Sequence, residues 1–309
     1  MQFIIFILVY PIIWLISLLP LRILYIFSDF IYLLVYYIFG YRKKIVFANL
    51  KLSFPDKSEK EILKIQKKFY SHFIDIFIEM IKSFTISEKE LSKRYTFTNI
   101  ELLNQVEAKG KSIILMGSHY ANWEWIIILN KYTSHKGYAA YTKINNTYFE
   151  KKMLQSRERF GANFIETTKF VPFMESNKKE NVMSIYGLLS DQSPQLHRAK
   201  YFKEFMGVKV PIHTGAEFLG RKFDHSIVFI KTRKIKRGYY ETSFEILAEN
   251  PTDYNEYVIT DVFLEKVEKQ IRAKPEYYFW SHKRWKHSKG IDAELERREV
   301  LTRETKTNL

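Results

Sequence analysis

The chain has 309 residues, 49 Lys+Arg against 34 Asp+Glu for a formal charge of +15, and no cysteine. That length suits one large domain or two small ones and is ample for a core. The absence of cysteine excludes a disulfide scaffold, a thiolate zinc site, an iron–sulfur cluster and a cysteine nucleophile.

Residues 1–41 carry one Arg (Arg22), one Asp (Asp29) and no Lys. Two apolar runs stand out, Phe3–Leu19, interrupted by Pro11, and Ile23–Phe39, interrupted by Asp29. A span of about 18–20 residues matches a hydrocarbon slab of roughly 30 Å, so either run is just long enough. There is no basic start and no small-residue cleavage site, so a cleaved signal peptide fits badly. The expectation is a membrane anchor of one spanning helix and one spanning or in-plane partner. Arg42-Lys43-Lys44 follows at once, and the positive-inside rule then places the rest in the cytoplasm.

Because Arg22 and Asp29 cancel, the whole positive excess lies beyond residue 41. Such a face is drawn to an anionic membrane surface or an acidic protein, while no nucleic-acid-binding motif appears. Ser58–Phe84 shows apolar residues at helical spacing behind the capping string Ser58-Glu59-Lys60-Glu61. Lys111–Gly117 reads as a short buried strand, and a helix begins within Ser118–Leu129. Tyr138–Thr142 and Val182–Leu189 read as strands, with a helix at Thr147–Phe160 between them. Gly215–Arg221 is a short helix, His225–Thr232 and Tyr239–Leu247 are strands, and Tyr254–Arg272 is a helix. The alternation predicts an α/β fold with a mixed central sheet flanked by helices, behind the apolar anchor. The expected divisions are an anchor over 1–41, a catalytic domain over 42–285 and a polar tail over 286–309.

The most informative string is Gly117-Ser118-His119-Tyr120-Ala121-Asn122-Trp123-Glu124. It lies just past the carboxyl end of a buried strand, where open α/β sheets place their sites. Along a regular helix, five residues turn through about 500°, so His119 and Glu124 would diverge. They meet if His119 sits in the loop and Glu124 inside the following helix. The pair would then be a general base and its orienter, since an imidazole with an unperturbed pKa near 6.5 can take a proton from an attacking hydroxyl. A capping or core His near a strand end is the structural alternative. No His-Glu-x-x-His spacing and no Gly-x-Ser-x-Gly elbow occur, so neither a metal nor a serine nucleophile is expected.

This string resembles the His-x4-Asp/Glu motif of the lysophospholipid acyltransferase superfamily. Further blocks resemble the lipid A biosynthesis late (lauroyl/myristoyl) acyltransferases: Tyr41-Arg42-Lys43-Lys44 with Ala48-Asn49-Leu50 and Ser53-Phe54-Pro55, Arg157-Glu158-Arg159-Phe160-Gly161, Ser190-Asp191-Gln192-Ser193, and Trp280-Ser281-His282-Lys283-Arg284-Trp285. The Phe-Pro-Glu-Gly-Thr-Arg block of the glycerol-phosphate branch is missing, which disfavours an ordinary lysophosphatidic acid acyltransferase.

The resemblance implies a membrane-bound O-acyltransferase of the inner membrane, its catalytic domain facing the cytoplasm. It would move a fatty acyl chain from an acyl carrier protein thioester to a hydroxyl of a lipid A precursor or related lipid, without a cofactor. It makes His119 the base and Glu124 its partner, with Arg159, Asp191 and Gln192 as supports. Trp280, His282 and Arg284 either frame an interfacial or phosphate-binding rim or simply pack. A different acceptor (an amino-acid lipid or lysophospholipid), a hydrolase and a non-catalytic membrane scaffold are the competing readings.

Overall fold

The computed structural model describes residues 1–298. Two apolar helices open the chain, α1 (Gln2–Leu18) and α2 (Leu21–Leu33), the latter widening into a π-helical turn at Leu34–Phe39. Leu21–Phe39, 19 residues, is long and apolar enough to cross a membrane, and Gln2–Leu18 is shorter. One face of α2 is nevertheless polar and docked. Ser28 Oγ donates to Asp75 at 2.8 Å, and Asp29 pairs with Arg237 at 2.7 Å. The acid that would be costly in lipid thus has its countercharge on the domain.

Helix α3 (Lys43–Ser53) leads to α4 (Glu59–Lys82), whose start is a full capping box between Ser58 and Glu61. Next come α5 (Glu88–Arg94), β1 (Tyr95–Phe97), α6 (Ile100–Ala108) and β2 (Ile113–Gly117). A 3-10 helix (Trp125–Lys131) precedes β3 (Lys136–Tyr141), α7 (Thr147–Glu158), β4 (Asn163–Glu166), α8 (Phe170–Lys179) and β5 (Ser184–Leu189). A hairpin of β6 (Tyr201–Phe205) and β7 (Val208–Ile212) is followed by α9 (Gly215–Phe223), β8 (Ser226–Lys236), β9 (Tyr239–Ala248) and α10 (Val258–Ala273). The short elements α3, α5, β1, α6, β4, α8, β6 and β7 carry little periodicity, and sequence reading leaves them unassigned. The expected polar tail opens with a 3-10 turn at Ser288–Gly290 and is helical over 291–298, and 299–309 lie outside the described residues.

The seven-stranded sheet runs β1-β9-β8-β2-β5-β3-β4. β8 and β9 pair antiparallel, and the other neighbours pair parallel. β2 lies at the centre between β5 and β8, so every one of its residues is buried, as its unbroken apolar run requires. The register sets Gly117 against Leu189, and the ladder continues with Ser190 N–H donating to Gly117 O at 3.0 Å. That adjacency brings Ser118-His119 beside Ser190-Asp191, although the two imidazole-site segments are far apart in sequence.

Candidate active site

β2 ends at Gly117, where a Cβ would lie 2.6 Å from Ile230 Cδ1 and 3.1 Å from Leu189 Cδ2, so a larger residue requires those side chains to shift. The chain then turns through a loop strapped by residues 277–279. Phe279 N–H donates to His119 O at 3.1 Å, and Ala121 N–H donates to Tyr277 O at 3.0 Å. Ala121 has φ +52°, the left-handed region, at a cost of about 1–2 kcal/mol for a residue with a Cβ. Asn122 Oδ1 accepts from Glu124 N–H at 3.0 Å and Trp125 N–H at 2.9 Å, capping the 3-10 helix. Glu124 therefore stands at the N-cap of that helix, not inside an α-helix, as the spacing argument expects.

This placement changes the imidazole's partner. His119 Nδ1 is 2.8 Å from Asp191 Oδ1, while Glu124 Oε2 is taken by Arg157 Nη2 at 2.5 Å. Asp191 is 1% exposed. Burial alone would raise its pKa, but the charge and hydrogen bonds of His119 outweigh burial and hold it below the usual carboxylate value. An ionised Asp191 accepting from Nδ1–H leaves Nε2 as the basic nitrogen. Gln192 Nε2 lies 3.3 Å from that nitrogen. The ring is held edge-on to Trp123 and stacked on Phe279, with centroids 5.4 and 5.9 Å away.

His119, Trp123, Glu124, Arg157 and Gln192 all face one cavity of about 700 Å³. Its remaining wall is largely apolar, built by side chains such as Leu115, Ile127, Ala139, Phe170 and Leu219, with Gly187 on the strand floor. The lining fits an alkyl chain better than a polar solute.

The other expected site residues lie elsewhere. Arg159 turns away from the cavity to the end of α4, donating to Phe84 O at 2.6 Å, Ile86 O at 2.9 Å and Ser83 O at 3.4 Å. Trp280 is fully buried, stacked on Trp285 with centroids 5.7 Å apart, and its Nε1 donates to Pro275 O at 2.6 Å. Asn49 Nδ2 donates to Trp280 O at 2.9 Å and His282 O at 2.8 Å, so the first and last sequence blocks meet in space. Arg284 is buried, with Nη1 2.6 Å from Ser193 Oγ and 3.1 Å from Pro211 O. It braces the turn after Asp191 from behind and does not line the cavity. Spacing missed Arg157 and the His119–Asp191 pair; the signal that could have found the latter is two buried strand runs ending in His and Asp. Among the described residues, no group of three or more His, Asp or Glu could hold a metal.

An imidazole–carboxylate pair at the carboxyl end of a central parallel strand, opening on an apolar cavity, is a site suited to acyl transfer. The family model of the bacterial lipid A biosynthesis acyltransferases matches residues 1–287, and the chain belongs to that family. A lipid A biosynthesis lauroyltransferase of Escherichia coli (strain K12) is 25% identical over 249 residues, 79% of this chain and 79% of that protein.

Proposed function

We propose that this acyltransferase moves a fatty acyl chain from an acyl carrier protein thioester to a hydroxyl of a membrane lipid, a lipid A precursor or a close relative of one. The observation that carries the reading is the 2.8 Å His119–Asp191 pair at the mouth of the 700 Å³ apolar cavity. His119 Nε2 takes the proton of the acceptor hydroxyl as its oxygen attacks the thioester carbon. The tetrahedral intermediate collapses, the C–S bond breaks, and the imidazolium returns its proton to the leaving thiolate. Asp191 holds the tautomer and stabilises the imidazolium. Arg157, anchored by Glu124, supplies positive charge near the developing oxyanion. The acyl chain occupies the apolar cavity.

The charge of +15 supports an acidic protein donor and an anionic bilayer as partners. The exposed apolar side chains of Gln2–Leu18 and Leu21–Phe39, beside Arg42-Lys43-Lys44, support an inner-membrane location with the site on the cytoplasmic side, α2 keeping its polar face on α4. The test is label transfer from acyl–acyl carrier protein to extracted lipid acceptor by the full chain in vesicles. Wild-type transfer that depends on the acceptor, and its loss in His119→Ala, are expected. Near-wild-type turnover by His119→Ala would remove the base, and release of free fatty acid without an acceptor would make the chain a thioesterase.

A further inference from the structure

Beneath the His119–Glu124 loop lies a carboxylate that the mechanism above leaves unused. Glu79, on α4, is 0% exposed. Its Oε1 accepts from Tyr25 Oη at 2.7 Å, and its Oε2 from Asn122 Nδ2 at 2.6 Å. Tyr240 Oη lies 3.1 Å from Oε1 and 2.8 Å from Oε2. Those donors come from three places: α2, the catalytic loop and β9. A buried carboxylate costs several kcal/mol of desolvation, and an apolar side chain would fill the same space more cheaply. Packing alone therefore does not account for an acid at this position.

Its chemistry matches the needs of the loop. Asn122 donates through Nδ2 to Glu79, and its Oδ1 caps Glu124 and Trp125. Trp125 Nε1 in turn donates to Ser83 Oγ at 3.0 Å and Glu79 O at 3.3 Å. The loop is thus seated on one turn of α4, and the left-handed Ala121 needs such a seat to persist. The amide of Asn122 can only donate through Nδ2, so an acceptor at position 79 fixes which way it points.

We infer that Glu79 is a positioning residue for acyl transfer, holding the His119–Glu124 loop through Asn122 and tying it to the N-terminal apolar helix through Tyr25. This rests on the reading of His119 as base. Burial pushes the Glu79 carboxyl up to about 7, with Lys234 of β8 opposing, Asp75 on its own helix adding, and the hydroxyls of Tyr25 and Tyr240 favouring the ionised form. The ionised carboxylate is the better acceptor for Asn122, so turnover should fall as pH drops through about 7.

The test uses the full chain in vesicles, measuring kcat and donor KM for Glu79→Gln, Asn122→Ala and Tyr25→Phe. Asn122→Ala should lose roughly 10- to 100-fold in kcat with little change in KM, the scale of a catalytic group displaced by about 1 Å. Glu79→Gln keeps one acceptor oxygen, so it should retain most of the turnover while losing the acid-side contribution near pH 7. Tyr25→Phe should lower kcat in the same direction. Wild-type kcat and an unchanged pH profile in Glu79→Gln and Asn122→Ala would overturn the inference, and wild-type kcat in Tyr25→Phe would overturn the link to α2. No acyl transfer by the wild type would instead sink the reading of His119 itself.

Discussion

Arg157 Nη2 lies 2.5 Å from Glu124 Oε2, and that ion pair, 13% and 17% exposed at its side chains, forms one wall of the apolar cavity. Removing either partner leaves a half-buried charge without its counterpart, which is costlier than losing the pair. Arg157→Gln and Glu124→Gln should each lower kcat by on the order of 10²-fold, the range of an electrostatic or acid–base contributor. The double variant should lose far less than the product of the two. Strict multiplicativity in a double-mutant cycle would mean that the two residues act independently.

Arg159 should behave differently. Its guanidinium gathers three carbonyls at the end of α4, so Arg159→Ala should cost roughly 1–2 kcal/mol of stability, and hence a lower thermal midpoint. Turnover per folded molecule should stay within a few fold of wild type. A large kcat loss at an unchanged midpoint would return Arg159 to the chemistry.

Asp191 carries the prediction that separates the two carboxylates of the site. Asp191→Asn keeps the shape but cannot stabilise an imidazolium, so kcat should fall by about 10³- to 10⁴-fold, as expected for a base held in the wrong tautomer. Glu124→Gln should be the milder change. The reverse order in single-turnover measurements would make Glu124 the orienter after all.

That reversal of roles shows where sequence reasoning reaches and where it stops. The capping box at Ser58 and Glu61 made α4 legible, and the unbroken apolar run before Gly117 made the central strand and the position of His119 legible. Both are local signals. The partner of His119 was not local: it depends on β5 lying beside β2, which brings residues 119 and 191 together across a parallel pair that no spacing rule encodes. The choice between Arg157 and Arg159 was a matter of phase. α7 ends at Glu158, and two residues on a helix point about 200° apart, so one arginine meets the cavity and the other the end of α4. Likewise Trp280 and Arg284 were legible as a block, but their placement behind the site rests on distant partners, Asn49 on the Trp280 carbonyl and Ser193 and Pro211 on the Arg284 guanidinium.

The cavity floor predicts chain-length selection. A Cβ on Gly187 would have ordinary contacts, the nearest being Tyr138 O at 3.7 Å, so a larger side chain is tolerated by the backbone and extends into the cavity. Gly187→Val should shift preference toward donors shorter by about two methylenes. Each buried methylene is worth about 0.8 kcal/mol, so discrimination should change by roughly 10- to 20-fold in kcat/KM. Competition between donors of different length measures it, and an unchanged preference would place the acyl chain elsewhere.

Buried histidines add to the acid sensitivity of stability, His282 among them although it lies within electrostatic reach of Asp191 and His119. Burial pushes His225 down to about 4, helped by Lys178 and opposed by Asp224. Burial likewise pushes His282 down to about 4, and burial with Lys234 holds His72 well below its ordinary value. Each is depressed in the folded state, so between pH 6.5 and about 4 the unfolded chain takes up protons that the folded chain refuses. Stability from this source is full above pH 6.5, falls as pH drops through that window, and levels off below it. His225 is the clean site to test, because its ring packs on Tyr186 at 5.6 Å and Phe223 at 5.7 Å, and its Nε2 has no hydrogen-bond partner. Phenylalanine keeps that stacking and removes the titration. His225→Phe should therefore recover on the order of 1–2 kcal/mol of the stability that the wild type loses between pH 7 and pH 5. Thermal unfolding of the full chain across that range should show a smaller drop in midpoint for the variant, and parallel curves would mean that His225 titrates normally in the folded protein.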